Sequence, residues 1–213
     1  TATATPNENQ QAVGTYAATD ADGTATQTYS ILTAAQNAAS VDHDLFSVAG
    51  GGVLTFQASP NYEDAGCGAG DNSNTCAVVI QVTDGANTDT ITVTVTVQDL
   101  NDETPAFTSS GTPSINENVR NVLTLAASYT DAGDSATFAI TGGADSDQFE
   151  IDGGTTLRFA AAAGANYESP GDAGTNNEYV VVVTATDTGA NAVAQTITIT
   201  IQDVNEFSPV FGD

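Results

Sequence analysis

Lysine, methionine and tryptophan are absent from this sequence of 213 residues, and the only basic side chains besides one histidine are Arg120 and Arg158. Against those two cations stand 27 acidic residues, a formal charge of −25. A chain so short of cations repels nucleic-acid phosphates instead of neutralising them, which excludes a nucleic-acid partner. Anionic membrane surfaces are disfavoured for the same reason. No stretch approaches the ~18 consecutive apolar residues of a membrane-spanning helix, so direct membrane insertion by this chain is not expected. The N-terminal stretch is rich in Thr and Ala and has none of the features of an export signal. The chain is therefore expected to be a piece of a longer protein, with any export signal or anchor outside it.

The single histidine, His43, lies between Asp42 and Asp44 in a polar turn, so it reads as an exposed residue, not as a base or ligand. With no second histidine, neither a Ser-His-Asp nor a Cys-His arrangement can recur in both halves of the chain. Paired carboxylates of a glycosidase remain open on composition alone, but the chain is expected to be non-enzymatic. Cys67 and Cys76 have neither the CxxC spacing nor the nearby histidine of a zinc site. They are expected to form a disulfide in an oxidising compartment, stabilising the fold by about 2–3 kcal/mol. The alternative is a pair of free surface thiols.

What the sequence has in abundance is repetition. NENQQAV, with Glu8, recurs as NENVRNV, with Glu117, 109 residues on. SPNYEDAG, with Glu63, recurs as GANYESPG, with Glu168, at an offset of 105. VTDGAN, with Asp84, recurs as ATDTGAN, with Asp187, and VTVQDLNDETPAF, with Asp99, as ITIQDVNEFSPVF, with Asp203, at offsets of 103 and 104. Four phrases in one order at a near-constant offset mean two homologous repeats, taken here as residues 1–103 and 104–213.

Within each repeat the period is two. Thr90 to Gln98 places Ile91, Val93, Val95 and Val97 on one face and threonines on the other, and Ala194 to Gln202 does the same with Ile197, Ile199 and Ile201. Such alternation marks half-buried strands. Val78 to Val82 and Tyr179 to Thr184 are more continuously apolar, as expected of central strands. Shorter strands are expected at Gln27 to Leu32, Val53 to Phe56, Thr137 to Ile140 and Thr156 to Phe159, separated by Gly- and Asp-rich turns. The alanine runs at 34–39 and 160–163 are too short to be helices of consequence. The pattern gives an all-β fold of antiparallel sandwiches.

The repeated phrases resemble the cadherin repeat, most closely its bacterial versions. They run in family order: NEN, ATDADG (Ala18 to Gly23) before TYSI, LFSV, VLTF, NYE, VTDG and DLND–P–F, and again in the second half, TDAGD before TFAI, QFEI, TLRF, NYE, ATDTG and DVNE–P–F. The resemblance implies two tandem seven-stranded Greek-key β-sandwiches, immunoglobulin-like and joined end to end. It implies Ca²⁺ at the junction, held by Glu8 and Glu63 from the first repeat. The linker adds Asp99, Asn101 and Asp102, with the Leu100 carbonyl, and the second repeat adds Asp131, Asp134 and Asp187. Calcium is a hard cation that takes about six to eight oxygens, which this set supplies without a competing cationic side chain. Three ions per junction is the family pattern. Two departures favour two: Asn61 and Asn166 stand where an aspartate is usual, and the usual D-x-D is stretched to Asp131-Ala-Gly-Asp134.

Asp20, Asp22 and Asp84 at one end, and Glu117, Glu168, Asp203, Asn205 and Glu206 at the other, are expected to be half-sites completed by neighbouring repeats. The acids Asp42, Asp44, Asp145 and Asp147 are expected to be a solvated surface, and Tyr62 and Tyr167 to pack at a sandwich edge. An EF-hand at Asp20 fails, because Gly23 comes too early and no glutamate closes the loop. The functional expectation is a calcium-rigidified adhesion module, extracellular at a bacterial cell surface, that associates with copies of itself or related chains. The alternative is a calcium-dependent carbohydrate-binding module taking surface polysaccharide, against which the missing tryptophan counts.

Overall fold

The computed structural model describes residues 1–21, 26–64, 66–67 and 73–209. It divides into two units, Thr1–Leu100 and Asn101–Asp213. In the first, the strands are β1 (Ala2–Ala4), β2 (Ala12–Thr15), β3 (Thr28–Ile31), β4 (Phe46–Ala49), β5 (Val53–Phe56), β6 (Thr75–Thr83) and β7 (Thr88–Thr96). They form a four-stranded sheet in the order β1-β7-β6-β3 and a three-stranded sheet in the order β2-β5-β4. Among the described strands of this unit only β1 is parallel to its neighbour, setting Thr3 opposite Thr94. The alternation in β7 decides its two faces: Val93 and Val95 are fully buried while the threonines between them are not. Each such valine or isoleucine contributes roughly 1.5–3 kcal/mol on burial. Their partners across the sandwich are Phe46, Leu54 and Phe56, with the rings of Phe46 and Phe56 4.6 Å apart. The central strand β6, between β7 and β3, carries the apolar run Val78–Ile80, all three buried.

The second unit contains β8 (Ala106–Phe107), β9 (Ser114–Asn116), β10 (Asn121–Thr124), β11 (Ala127–Ser128), β12 (Ala136–Gly142), β13 (Phe149–Asp152), β14 (Thr156–Phe159), β15 (Glu178–Asp187) and β16 (Ala192–Gln202). The same two sheets recur as β12-β15-β16-β9 and β10-β14-β13, with an added two-stranded ribbon, β11-β8. The core gathers Leu157, Phe159, Tyr179, Val181, Val183, Ile197, Ile199 and Ile201 around Phe149. The expected all-β sandwich is the observed one, and each strand expected from the period-two pattern is present. The alanine run at 34–39 falls in turns, and so does most of that at 160–163.

Turn chemistry fixes the β4–β5 hairpin. Gly52 has φ +76°, and a Cβ there would meet the Tyr16 carbonyl oxygen at 2.2 Å, so no other residue fits.

Two of the four acids expected on the surface are buried. Asp42 is 3% exposed and its Oδ2 accepts from the Ala77 amide at 2.7 Å. Asp145 is 2% exposed and accepts from the amides of Ala173 and Val180, both at 2.7 Å. Each precedes a one-turn 3-10 helix, His43–Leu45 and Ser146–Gln148, and ties that turn to the strand opposite. Asp44 and Asp147 are exposed as expected. His43 is half-buried, with Nδ1 3.1 Å from the Ser40 carbonyl oxygen.

Candidate metal centre

In the first unit the site grows from Glu8, which is 2% exposed. Its Oε2 accepts from the Tyr62 amide at 2.7 Å and its Oε1 from the Leu100 amide at 2.8 Å. One carboxylate thus ties the NYE loop and the end of the repeat to the N-terminal strand. Charged acceptors on backbone amides make strong hydrogen bonds. The loop is pinned further where Asn74 Nδ2 donates to the Tyr62 carbonyl at 2.9 Å, and Glu63 N donates to Asn61 Oδ1 at 2.8 Å. A Glu63 carboxylate oxygen comes within 4.8 Å of one from Glu8 and of one from Asp99. Leu100 is exposed. Tyr62 packs against the core, as expected, whereas Tyr167 is 37% exposed.

In the second unit Asp131, Asp134 and Asp187 converge, with one carboxylate oxygen from each within 4.8 Å of the others. Asp131 and Asp187 are 6% and 7% exposed. The stretched Asp131-Ala-Gly-Asp134 spacing closes through a turn in which Asp134 N donates to the Asp131 carbonyl, with Gly133 at φ +80°. Asp131 Oδ2 accepts from the Glu103 amide at 3.1 Å. Its Oδ1 is buried and has no hydrogen-bond partner among the described residues. Asp134 Oδ1 accepts from the Ser135 amide at 2.7 Å and from both the amide and the hydroxyl of Thr188, and the Thr188 hydroxyl above all holds its carboxyl below the usual carboxylate range. Asp187 accepts from the amide and side chain of Asn191 at 2.7 and 3.0 Å. Asn101 joins the same turn: its Nδ2 donates to Thr188 Oγ1 and its Oδ1 accepts from Asn191 Nδ2, each at 3.0 Å. Asp102 is exposed.

Thr188 and Asn191 are the site residues that residue-by-residue reading missed. Asn191 lay in plain view within the recurrent TDTGAN phrase, whose counterpart Asn87 likewise donates to Asp84.

The donor set fits calcium. Three carboxylates at this spacing repel one another, a buried oxygen without a partner costs free energy, and a hard divalent cation among them relieves both. Neither arginine competes: Arg120 and Arg158 both contact Glu150, and Arg158 also reaches Asp152, on β13.

The clamp recurs at the far end of the second unit. Glu117, 3% exposed, accepts from the amides of Tyr167 at 2.9 Å and Val204 at 2.8 Å. The Tyr167 amide is the chief reason its carboxyl lies below the usual range. Glu168, Asp203 and Glu206 bring carboxylate oxygens within 4.8 Å of it. Lost hydration and then the charges of Glu117, Glu168 and Asp203 raise Glu206. At the other expected half-site, Asp84 is held low, first by the Asn87 amide, and lines a shallow cleft with Asp20. Asp22 lies outside the described residues.

No known family model matches the sequence, and no curated protein matches it. Solved structures do. Human protocadherin-24 EC1-2 is 19% identical, with 95% of this chain and 94% of that one covered at a TM-score of 0.71. Mouse cadherin-23 EC22-24 is 17% identical, covering 96% and 64% at a TM-score of 0.67. Drosophila N-cadherin EC1-4 is 18% identical, covering 94% and 50% at 0.64. At near-complete coverage of this chain and TM-scores of 0.64 to 0.71, the likeness shows the fold of tandem cadherin extracellular repeats.

Proposed function

We propose that this chain is a calcium-binding adhesion module of a cell-surface or secreted protein, made of repeats 1–103 and 104–213. Glu8, Glu63 and Asp99 with the Leu100 carbonyl, and Asn101, Asp102, Asp131, Asp134 and Asp187, are its calcium ligands. The observation that carries the reading is the buried Asp131 Oδ1, unpartnered beside two further carboxylates. Binding two or three ions there stiffens the segment 99–103, and removing them restores carboxylate repulsion. Extracellular calcium modules bind at about 10⁻⁴–10⁻³ M, so fluids outside the cell keep such a segment rigid. A stiff array of repeats holds a surface away from its cell and presents it to other copies. Cleavage of the segment by proteases is accordingly faster in chelator.

Titration calorimetry of calcium into the chelator-stripped chain tests this, beside a variant carrying Asp99→Ala and Asp102→Ala and another carrying Asp131→Asn. Two or three ions are expected for the parent, with most of the binding lost in the variants. Equal binding by all three chains, or none by any, refutes the reading and leaves the acids as a solvated surface.

A further inference from the structure

The second unit leaves bare a face that the first unit covers. Tyr179, Val181 and Val183 of β15 turn into the core. Val180 and Val182 therefore point outward from the sheet β12-β15-β16-β9, where both are half-buried. Val180 lies opposite Thr198, Val182 opposite Thr196, and Thr184 between Ala139 and Ala194. Among the outward residues of these strands Glu178, at one end, is the single charge. The opposite sheet of the same unit carries the ion-paired Glu150, Asp152 and Arg158.

Asp42 and Asp145 are counterparts. Each donates its amide to one residue of the long strand and accepts from that residue's amide with Oδ2, Ala77 in the first unit and Val180 in the second. Val79, two residues on, is thus the counterpart of Val182. It too points away from its core, between the inward Val78 and Ile80, yet it is fully buried. The cover is the chain just before Asp42. Leu32 and Asp42 are ten residues apart, whereas their counterparts Thr141 and Asp145 are four apart. The six extra residues fold back through turns in which Gln36 and Asn37 donate to the Thr33 carbonyl and Ser40 to the Asn37 carbonyl. Ser40, itself fully buried, accepts from the Val79 amide with Oγ at 3.0 Å. In the second unit the connection is only Gly142-Gly143-Ala144. A Cβ at Gly143 would meet the Val180 carbonyl oxygen at 2.5 Å, so this connection hugs the strand and leaves Val182 half-buried.

We propose that the bare face of the second unit packs against the same face of a second copy of this chain, in a two-fold dimer centred on Val182 and Thr196. The proposal rests on the adhesion reading above and gives it a surface. Two chains at −25 repel, and like charges set face to face are strongly unfavourable. A second copy is therefore met through a surface without charge, and this one has an apolar centre ringed by hydroxyls. The cover that the first unit draws from its own chain is small and uncharged, residues 33–41 holding neither acid nor base. The matching face of a copy has the same character. Four strands about 4.8 Å apart, paired over about seven residues, give roughly 450 Å² per copy. The pair then buries roughly 900 Å², the size of a weak, reversible contact. One patch serves both copies, so association closes at the dimer. It strengthens as salt screens the overall repulsion.

Sedimentation velocity of the full chain, from about 5 µM to about 500 µM to span weak association, tests this in chelator and in calcium. A monomer–dimer equilibrium is expected, tighter at high salt. Thr196→Asp and Ala139→Asp each put a charge at an exposed position of the face, and each is expected to weaken association at least about tenfold. Thr92→Asp, opposite Val79 at the covered position of the first unit, is expected to leave it unchanged. Both native cysteines are bonded, so Thr196→Cys supplies one thiol, which a short bis-maleimide should join into a covalent dimer far faster than it joins Ser47→Cys on the first unit. A chain monomeric throughout, association that ignores both added charges, or equal cross-linking from the two cysteines overturns the proposal. So does a monomeric chain that Thr196→Asp releases from insoluble polysaccharide, which gives the face to a carbohydrate. Sedimentation in chelator reads this face and calcium titration reads the ion site, so failure of either is seen separately.

Discussion

The loop that carries Tyr62 and Glu63 and the loop that carries Tyr167 and Glu168 do the same work with different chemistry. Both present a backbone amide to a buried glutamate, Glu8 in one unit and Glu117 in the other. Both are pinned by an asparagine that donates to the tyrosine carbonyl, Asn74 at 2.9 Å and Asn177 at 3.0 Å. Beyond that they part. The first is closed by the Cys67–Cys76 disulfide, with both cysteines buried and their Cα atoms 4.8 Å apart. The second has Asp172, 3% exposed, accepting from the amides of Asn176 at 2.9 Å and Asn177 at 3.1 Å, while Tyr179, at the position of Cys76, accepts from the Gly171 amide. What the repeat preserves is the amide aimed at the glutamate. The staple that aims it is interchangeable.

Removing each staple should therefore disturb only its own unit. The largest effect is expected from the Cys67→Ala, Cys76→Ala pair, which loses about 2–3 kcal/mol. By calorimetry the melting of the first unit should drop by roughly 10 °C or more, with the second unchanged. A single transition lowered for both units would break the comparison. Next comes Asp172→Ala, which strands two backbone amides and costs about 1–3 kcal/mol in the second unit alone. Smaller again are Asn74→Ala and Asn177→Ala, each expected to cost about 1 kcal/mol in its own unit. If these two differ widely in denaturant midpoint, the shared pin is not equivalent.

The smallest effect is a pH dependence of the second unit in chelator. Glu117 and Asp134 have folded values below their unfolded ones. Their contribution is thus present above the unfolded carboxylate range of about 4 and is lost as pH falls through the lowered folded values. Stability of the second unit should decline below about pH 4–5, more steeply in the parent than in Glu117→Gln. An identical acid profile for the two chains would remove Glu117 as its source.

Much of this was readable in advance because β-structure writes itself as alternation. Val93 and Val95 face inward in β7, and Ile197, Ile199 and Ile201 in β16, because side chains on a strand point to opposite faces in turn. The candidate ligands were readable because they recur in fixed phrases. Asp42 and Asp145 were not, since a buried aspartate and an exposed one look alike until the strand amide it accepts from is placed opposite. The short strands β8 and β11 carry no period of their own at two residues each.

Local order alone thus determined the all-β class and set the expectation of two repeats and their acidic sets, because alternation and recurrence are properties of neighbours along the chain. The amides that grip Glu8 and Glu117, the turn that brings Asp134 to Asp131 and the burial of Asp131 Oδ1 were settled by folding. Each depends on a partner far away in sequence: Leu100 lies 92 residues beyond the Glu8 that accepts its amide, and only a closed sandwich brings such groups within hydrogen-bonding distance.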